Sequence, residues 1–180
     1  MAKADLSQFY ALNLAVMTIS DSRTASNDSS GDLLTNLSQQ AGHAVVARAI
    51  LHNSINLIRE TLSHWMLDEN IQVILINGGT GFAKGNCTVT AVSALIDTPI
   101  PGFGELFRQL SFAELGSAAM QSGALAGFAK SSLLFAMPGS GGACRLAMQH
   151  LILPQLDSRT GPCNFVAHVK NNPINSCNGA

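Results

Sequence analysis

Apolar residues recur along this chain in two rhythms, and their alternation predicts the architecture. Leu12 to Ile19 (LNLAVMTI) and Ile71 to Ile76 (IQVILI) are mostly apolar runs, the mark of strands buried on both faces. Val45 to Leu51 reads as a second strand, and Leu133 to Met137 as a fourth. Between strands the spacing becomes helical. Leu33, Leu34, Leu37 and Ala41 share one face, with Ser29 or Ser30 as N-cap and Gly42 as the stop. Asn53 is the expected cap of a helix carrying Ile55, Ile58, Leu62, Trp65 and Met66. Another helix is expected from about Cys87 to Ile96, before Thr98-Pro99-Ile100-Pro101-Gly102 breaks the chain. Phe103, Leu106, Phe107 and Leu110 mark the next. The small-residue stretch Ala118 to Ala129 reads as a helix packed tightly on a neighbour. Leu146, Met148, Leu151 and Ile152 belong to a last helix that Pro154 kinks or ends.

Strands alternating with helices imply βαβ units, hence a three-layer α/β/α sandwich around a mainly parallel sheet. Residues 11–170 form a single domain in this reading, after an N-terminal extension (1–10) and before a polar tail (171–180) that has nothing to bury and is expected to be disordered. Ligands of such sheets bind at the carboxyl ends of the strands. Polar or glycine-rich loops occupy those ends at Ser20 to Gly31, Gly78 to Thr88 and Pro138 to Gly142, and they should converge on one pocket.

Composition narrows the function. Apolar residues make up 47% of the chain and charged ones only 12%, so some surface is expected to be covered in a homo-oligomer. Ten basic against eleven acidic residues leave no broad basic face for nucleic acid or anionic lipid. No apolar run reaches the roughly eighteen residues of a membrane span. The start, MAKADLSQFYALNL, lacks the apolar core and cleavage site of a secretory signal. Cys87, Cys144, Cys163 and Cys177 form no C-x-x-C pair, and the histidines form no zinc motif, which fits reduced thiols and a cytoplasmic setting.

The chemistry centres on Gly78-Gly79-Thr80-Gly81, where a buried strand runs into consecutive glycines ahead of a helix. Backbone N–H groups can approach an anion there with no side chain in the way, and the helix start adds positive dipole. The usual labels fail. A P-loop needs Gly-Lys-Ser/Thr, and here Lys84-Gly85 runs the other way; a dinucleotide fingerprint needs glycine where Lys84 stands.

Taken together, T-x-S-D-S-R, D-x-S-G, G-G-T-G, P-G-F-G-E-x-F-R and M-P-G-S resemble, in order and spacing, the MoaB/MogA family of molybdenum cofactor biosynthesis proteins. The same module is similar to the molybdopterin-binding domain of gephyrin. The resemblance implies the three-layer fold, a trimer or hexamer, other molybdenum cofactor biosynthesis proteins as partners, and a site for molybdopterin, a pterin dithiolene with a terminal phosphate. It implies as substrate-binding residues Thr18, Ser20, Asp21, Asp28, Ser30, Gly78, Gly79, Thr80, Gly81, Thr88, Glu105, Arg108, Ser122, Pro138, Gly139 and Ser140. Ordinary turns and caps compete for several of these positions: an Asx-turn at Asp21, N-capping at Asp28 and Ser30, an exposed ion pair at Glu105 and Arg108.

Active family members transfer AMP from Mg-ATP to the pterin phosphate, and the resemblance implies two aspartates for that chemistry. Asn53 and Asn86 stand at the matching positions here. An amide oxygen can ligate Mg²⁺ but brings no charge, and hard cations favour carboxylates. Gln121-Ser122-Gly123 also lacks the arginine of relatives, and Ser140-Gly141-Gly142 lacks their second proline, while Lys84 and Arg23 are candidate replacements for the missing charge. Three readings stay open: a pterin binder, with or without ATP or GTP, of weak or absent catalysis; an active adenylyltransferase using Mg²⁺ and nucleotide; an unrelated mononucleotide-binding domain.

Overall fold

The computed structural model describes residues 8–171. Its six-stranded sheet has the order β2-β1-β3-β6-β5-β4. The strands are β1 (Asn13–Ile19), β2 (Ala44–Leu51), β3 (Val73–Asn77), β4 (Thr98–Pro99), β5 (Leu125–Ala129) and β6 (Ser132–Met137). Pairings β1–β2, β1–β3 and β3–β6 are parallel, whereas β5 runs antiparallel to both β6 and β4. β3 and β6 are buried throughout, and β1 from Leu14 onward, because both sheet faces are covered.

Period-two alternation sorts the core into two layers. Leu14 and Val16 of β1, Val73 and Leu75 of β3, and Leu133 and Phe135 of β6 meet α1 (Ser29–Gln40), α4 (Pro101–Leu115) and α5 (Gly141–Ala147) on one face. Ala15, Met17, Ile74 and Ile76 meet α2 (Ile55–Leu67) and α3 (Thr88–Ser93) on the other. Beyond α5 the chain widens into a π turn over Met148–Ile152 and continues as α6 (Leu153–Leu156). Pro154 has no N–H to offer, and the wider turn carries the helix to it without a break.

Several elements depart from expectation. Ala118 to Ala129 is not a helix: a 3-10 turn ends at Gln121 and β5 begins at Leu125. Gly127 explains this, since a Cβ there would stand 2.4 Å from Ile96 Cγ2 and 2.8 Å from the Thr98 carbonyl oxygen. The stretch is small because β4 lies close against it. The caps also shift by a residue or two. Asp28, not Ser29 or Ser30, caps α1, and Ser54, not Asn53, caps α2. Gly42 does end α1, at φ 91°. Of the tail expected to be disordered, Asn171 is placed and donates to the Glu69 carbonyl and carboxylate, while 172–180 lie outside the described residues.

His43, just before β2, accepts the Leu12 N–H at Nδ1 over 3.2 Å and is 5% exposed. Burial pushes its pKa below the ordinary 6.5, with Asp157 opposing the shift. A group depressed in the fold gives stability that is complete above its unfolded pKa and is lost as pH falls through the folded one. Stability should therefore decline as pH drops below about 6.5, and His43→Gln should flatten that decline in thermal melts between pH 7 and 5. An identical slope in the variant would place the acid sensitivity elsewhere.

Candidate functional site

The chain leaves β1 to form β2 on one side and later β3 on the other, so the sheet switches direction between β1 and β3. At such a switch the loops part and leave a crevice. Register places Thr18, Asn77 and Met137 in one row at the strands' carboxyl ends. The three expected loops leave from this row and meet at Gly78.

Gly78 and Gly79 have φ of 88° and 62°, a region side chains rarely enter. A Cβ on Gly78 would lie 2.3 Å from the Ile19 carbonyl oxygen, and one on Gly139 would lie 3.0 Å from the Gly78 Cα. Gly78 N–H donates to the Met137 carbonyl, and Thr88 closes the loop: its N–H donates to the Gly79 carbonyl and its hydroxyl to that of Gly78. A Cβ on Gly123 would come within 2.0 Å of the Thr80 carbonyl oxygen, so the chain entering β5 presses on the loop as well. Between these segments lies a cavity of about 380 Å³ lined by Gly79, Thr80, Gly81, Asn86, Cys87 and Gly123 among others. That is the size range of small-molecule sites. No side chain caps the start of α3.

Asp28 is 1% exposed, and its carboxylate is fully engaged by the fold. It accepts from the Gly31 N–H, the Thr18 hydroxyl and Arg48 Nη2 at 3.0, 2.9 and 3.1 Å. Ser30 donates to it more weakly at 3.4 Å. Capping and anchoring thus account for Asp28 and Ser30, and the Thr18 hydroxyl is committed to the same network. Ser20 accepts from the Ser22 and Arg23 N–H groups in a local turn. Asp21 forms no Asx-turn. Its two oxygens take the backbone N–H and side-chain Nδ2 of Asn53, at 2.9 and 3.0 Å. These bonds, the backbone one foremost, hold its carboxyl below the ordinary range, with His52 adding a smaller pull.

Asn53 stands beside the glycine loop: a Cβ on Gly79 would be 2.5 Å from its Oδ1 and from Thr88 Oγ1. That Oδ1 is buried without a donor. Asn86 lines the cavity next to Gly81 and is not a helix cap, since Cys87 takes that position. Pro138, Gly139 and Ser140 form the third loop, where the Ser140 hydroxyl caps α5 through the Ala143 N–H. Ser122 lies just outside the cavity, before Gly123. Glu105 and Arg108 are set apart from the glycine loop in a neighbouring cavity, and no ion pair joins them. Arg23 donates within its own loop, and Lys84 is exposed between Ala83 and Asn86, two residues that line the cavity.

The residues present do not fit a dicarboxylate Mg²⁺ site. The carboxylate at the rim, Asp21, already accepts from Asn53, and no group of three or more His, Cys, Asp and Glu is placed to hold a metal among the described residues. Burial, with help from Asp21, raises the Cys87 pKa, which disfavours the thiolate a nucleophile needs. Cys144 is buried and pushed up to about 12.

One residue of the site escaped sequence reasoning. Asn77, fully buried at the end of β3, donates Nδ2 to the Met17 carbonyl and the Thr18 hydroxyl, leaving its Oδ1 unpaired. A polar residue closing an apolar strand directly before paired glycines was the available signal.

The family model described as "Probable molybdopterin binding domain" matches residues 15–158. The chain is 45% identical over 163 residues to molybdenum cofactor biosynthesis protein B of Escherichia coli (strain K12), spanning 91% of this chain and 96% of that protein. It is 47% identical over 142 residues to the protein of the same name in Bacillus cereus, spanning 78% and 84%. A crystal structure of molybdenum cofactor biosynthesis protein B superposes with a TM-score of 0.80 at 45% identity, over 82% of this chain and 92% of that one.

Proposed function

Because the chain belongs to the molybdenum cofactor biosynthesis family of molybdopterin-binding domains, we propose that it binds molybdopterin at the β1–β3–β6 rim with weak or absent adenylyl transfer. The terminal phosphate sits against the glycine-loop amides, which the positive-φ glycines leave unshielded by side chains. The observation that carries the catalytic half of the reading is the Asp21–Asn53 pair. An amide stands where adenylyl transfer calls for a second charge, and it bonds to the one carboxylate beside it. Nucleotide, ATP or GTP, binds in this reading without efficient turnover. The protein works in the cytoplasm as a homo-oligomer alongside other proteins of the pathway. Sparse charge and the exposure of Phe112, Leu115 and Met120 around the end of α4 support such assembly.

The deciding experiment incubates the protein with molybdopterin, Mg²⁺ and each nucleotide, following nucleotidyl product and pterin binding together. Saturable pterin binding with little product is expected; rapid product formation would establish the adenylyltransferase reading in its place. Asn86→Asp combined with Asn53→Asp should raise Mg-ATP-dependent product by about tenfold or more. Asn53→Asp alone places two carboxylates about 3 Å apart, given the present 3.0 Å contact. Its melting temperature should fall without divalent cation and recover with Mg²⁺. A melting temperature indifferent to Mg²⁺ would reject this account of the lost charge.

A further inference from the structure

The cavity holding Glu105 and Arg108, about 290 Å³, is walled by Ser93, Pro99, Gly104 and Ala124 among others. On a solvated helix, acidic and basic residues at i,i+3 spacing pair with each other. Here they do not, because the Arg108 guanidinium folds back over Gly104 and directs Nη1 to the Ala124 carbonyl at 3.5 Å. Gly104 permits this: a Cβ there would sit 3.1 Å from both terminal nitrogens of Arg108 and 2.5 Å from the Ala124 oxygen. Glu105 is exposed to the cavity and accepts no hydrogen bond among the described residues. The wall therefore presents an acceptor-only carboxylate beside a donor-only fork.

We propose that this cavity reads a 2-amino-4-oxopyrimidine edge, the group that pterins and guanine share. On that edge a ring N–H and the exocyclic amine are neighbouring donors, which one carboxylate accepts together. The adjacent carbonyl oxygen takes a guanidinium N–H. Adenine has a bare ring nitrogen at the corresponding place, and its lone pair faces the carboxylate, so it is refused. Location favours the pterin as source. Gly123 lines the glycine-loop cavity and Ala124 lines this one; Thr90 borders the first and Ser93 the second. Thr90 and Ser93 lie within one turn of α3, about 5 Å along its axis, so one ligand can place its ring here and its phosphate against the glycines. This assignment of the ring rests on the phosphate position proposed above.

The test titrates 6-hydroxymethylpterin, GTP and ATP separately, by pterin fluorescence and calorimetry, against the wild type and Glu105→Gln. That variant is isosteric and at an exposed position. Inorganic pyrophosphate, with Gly81→Val as the cavity-blocking variant, reports on the glycine loop alone. Pterin affinity is expected to fall at least about tenfold in Glu105→Gln, with ATP and pyrophosphate unchanged. A fall for GTP but not for the pterin supports the same edge with guanine as its source. Equal pterin and GTP affinities in wild type and variant overturn the inference, as does a fall that ATP shares. Failure of pyrophosphate to bind the wild type counts against the glycine-loop reading instead, whatever Glu105→Gln does.

Discussion

Gly78→Ala should lower stability by at least about 3 kcal/mol, a large fraction of the roughly 5–15 kcal/mol that holds an ordinary domain folded. Two costs coincide at this residue. Its φ of 88° strains any side chain, and a Cβ would stand 2.3 Å from the Ile19 carbonyl oxygen, a main-chain atom of a buried strand. Gly85 separates the two costs. Its φ is 100°, yet a Cβ there meets nothing within 4 Å, so Gly85→Ala carries strain alone, about 1 kcal/mol. Thermal melts of both variants decide the matter. Equal losses would show that the contact with β1 contributes nothing. Gly79→Val should fare as badly as Gly78→Ala, since its Cβ would meet Asn53 and Thr88, so Gly81 is the better position for blocking the cavity.

Asp28→Ala should cost about 3 kcal/mol and reduce binding only through the fold. The substitution removes the acceptor for the first turn of α1, takes away the acceptor of the Thr18 O–H and leaves Arg48 with Asp32 alone. The Asp28 side chain is 1% exposed against 38% for Arg48, so the pair is anchored at its buried end. Asp28→Asn keeps an oxygen for the Gly31 N–H and should recover about 1 kcal/mol of the loss. Chemical denaturation of the three proteins gives the order directly. If Asp28→Ala matched the wild type in stability yet failed to bind pterin, the carboxylate would belong to the ligand and not to the scaffold.

How much of this was legible in the sequence depended on whether a residue's role was local. β1, β3 and β6 announce themselves because burial on both faces leaves uninterrupted apolar runs. β5 was misread as helix because LAGFA owes its small residues to close passage of β4 and its extension to pairing with β6, neither visible along the chain. The glycine loop was readable because side chains rarely adopt such dihedrals, and consecutive glycines after a buried strand mark the place where they are needed. Asp28 looked like a cap or a ligand; its tie to Arg48, twenty residues away, appears only once β2 lies beside β1. Asn53 is the instructive case. Its residue type fits a helix cap, but Ser54 performs that task, which frees Asn53 to face Asp21 and the glycine loop.

The knuckle at Gly78 has a bearing on how the rim can diverge among descendants. Ile19, Gly78 and Gly139 abut through main-chain atoms, so inserting or exchanging residues in any one of those segments disturbs the other two. The outer tip from Phe82 to Gly85 is different: Phe82 is 83% exposed and Gly85 has open space around its Cα. Substitutions and insertions should therefore be tolerated better at the tip than at the knuckle. The loop can thus change its outer contour while the anchorage beneath stays fixed.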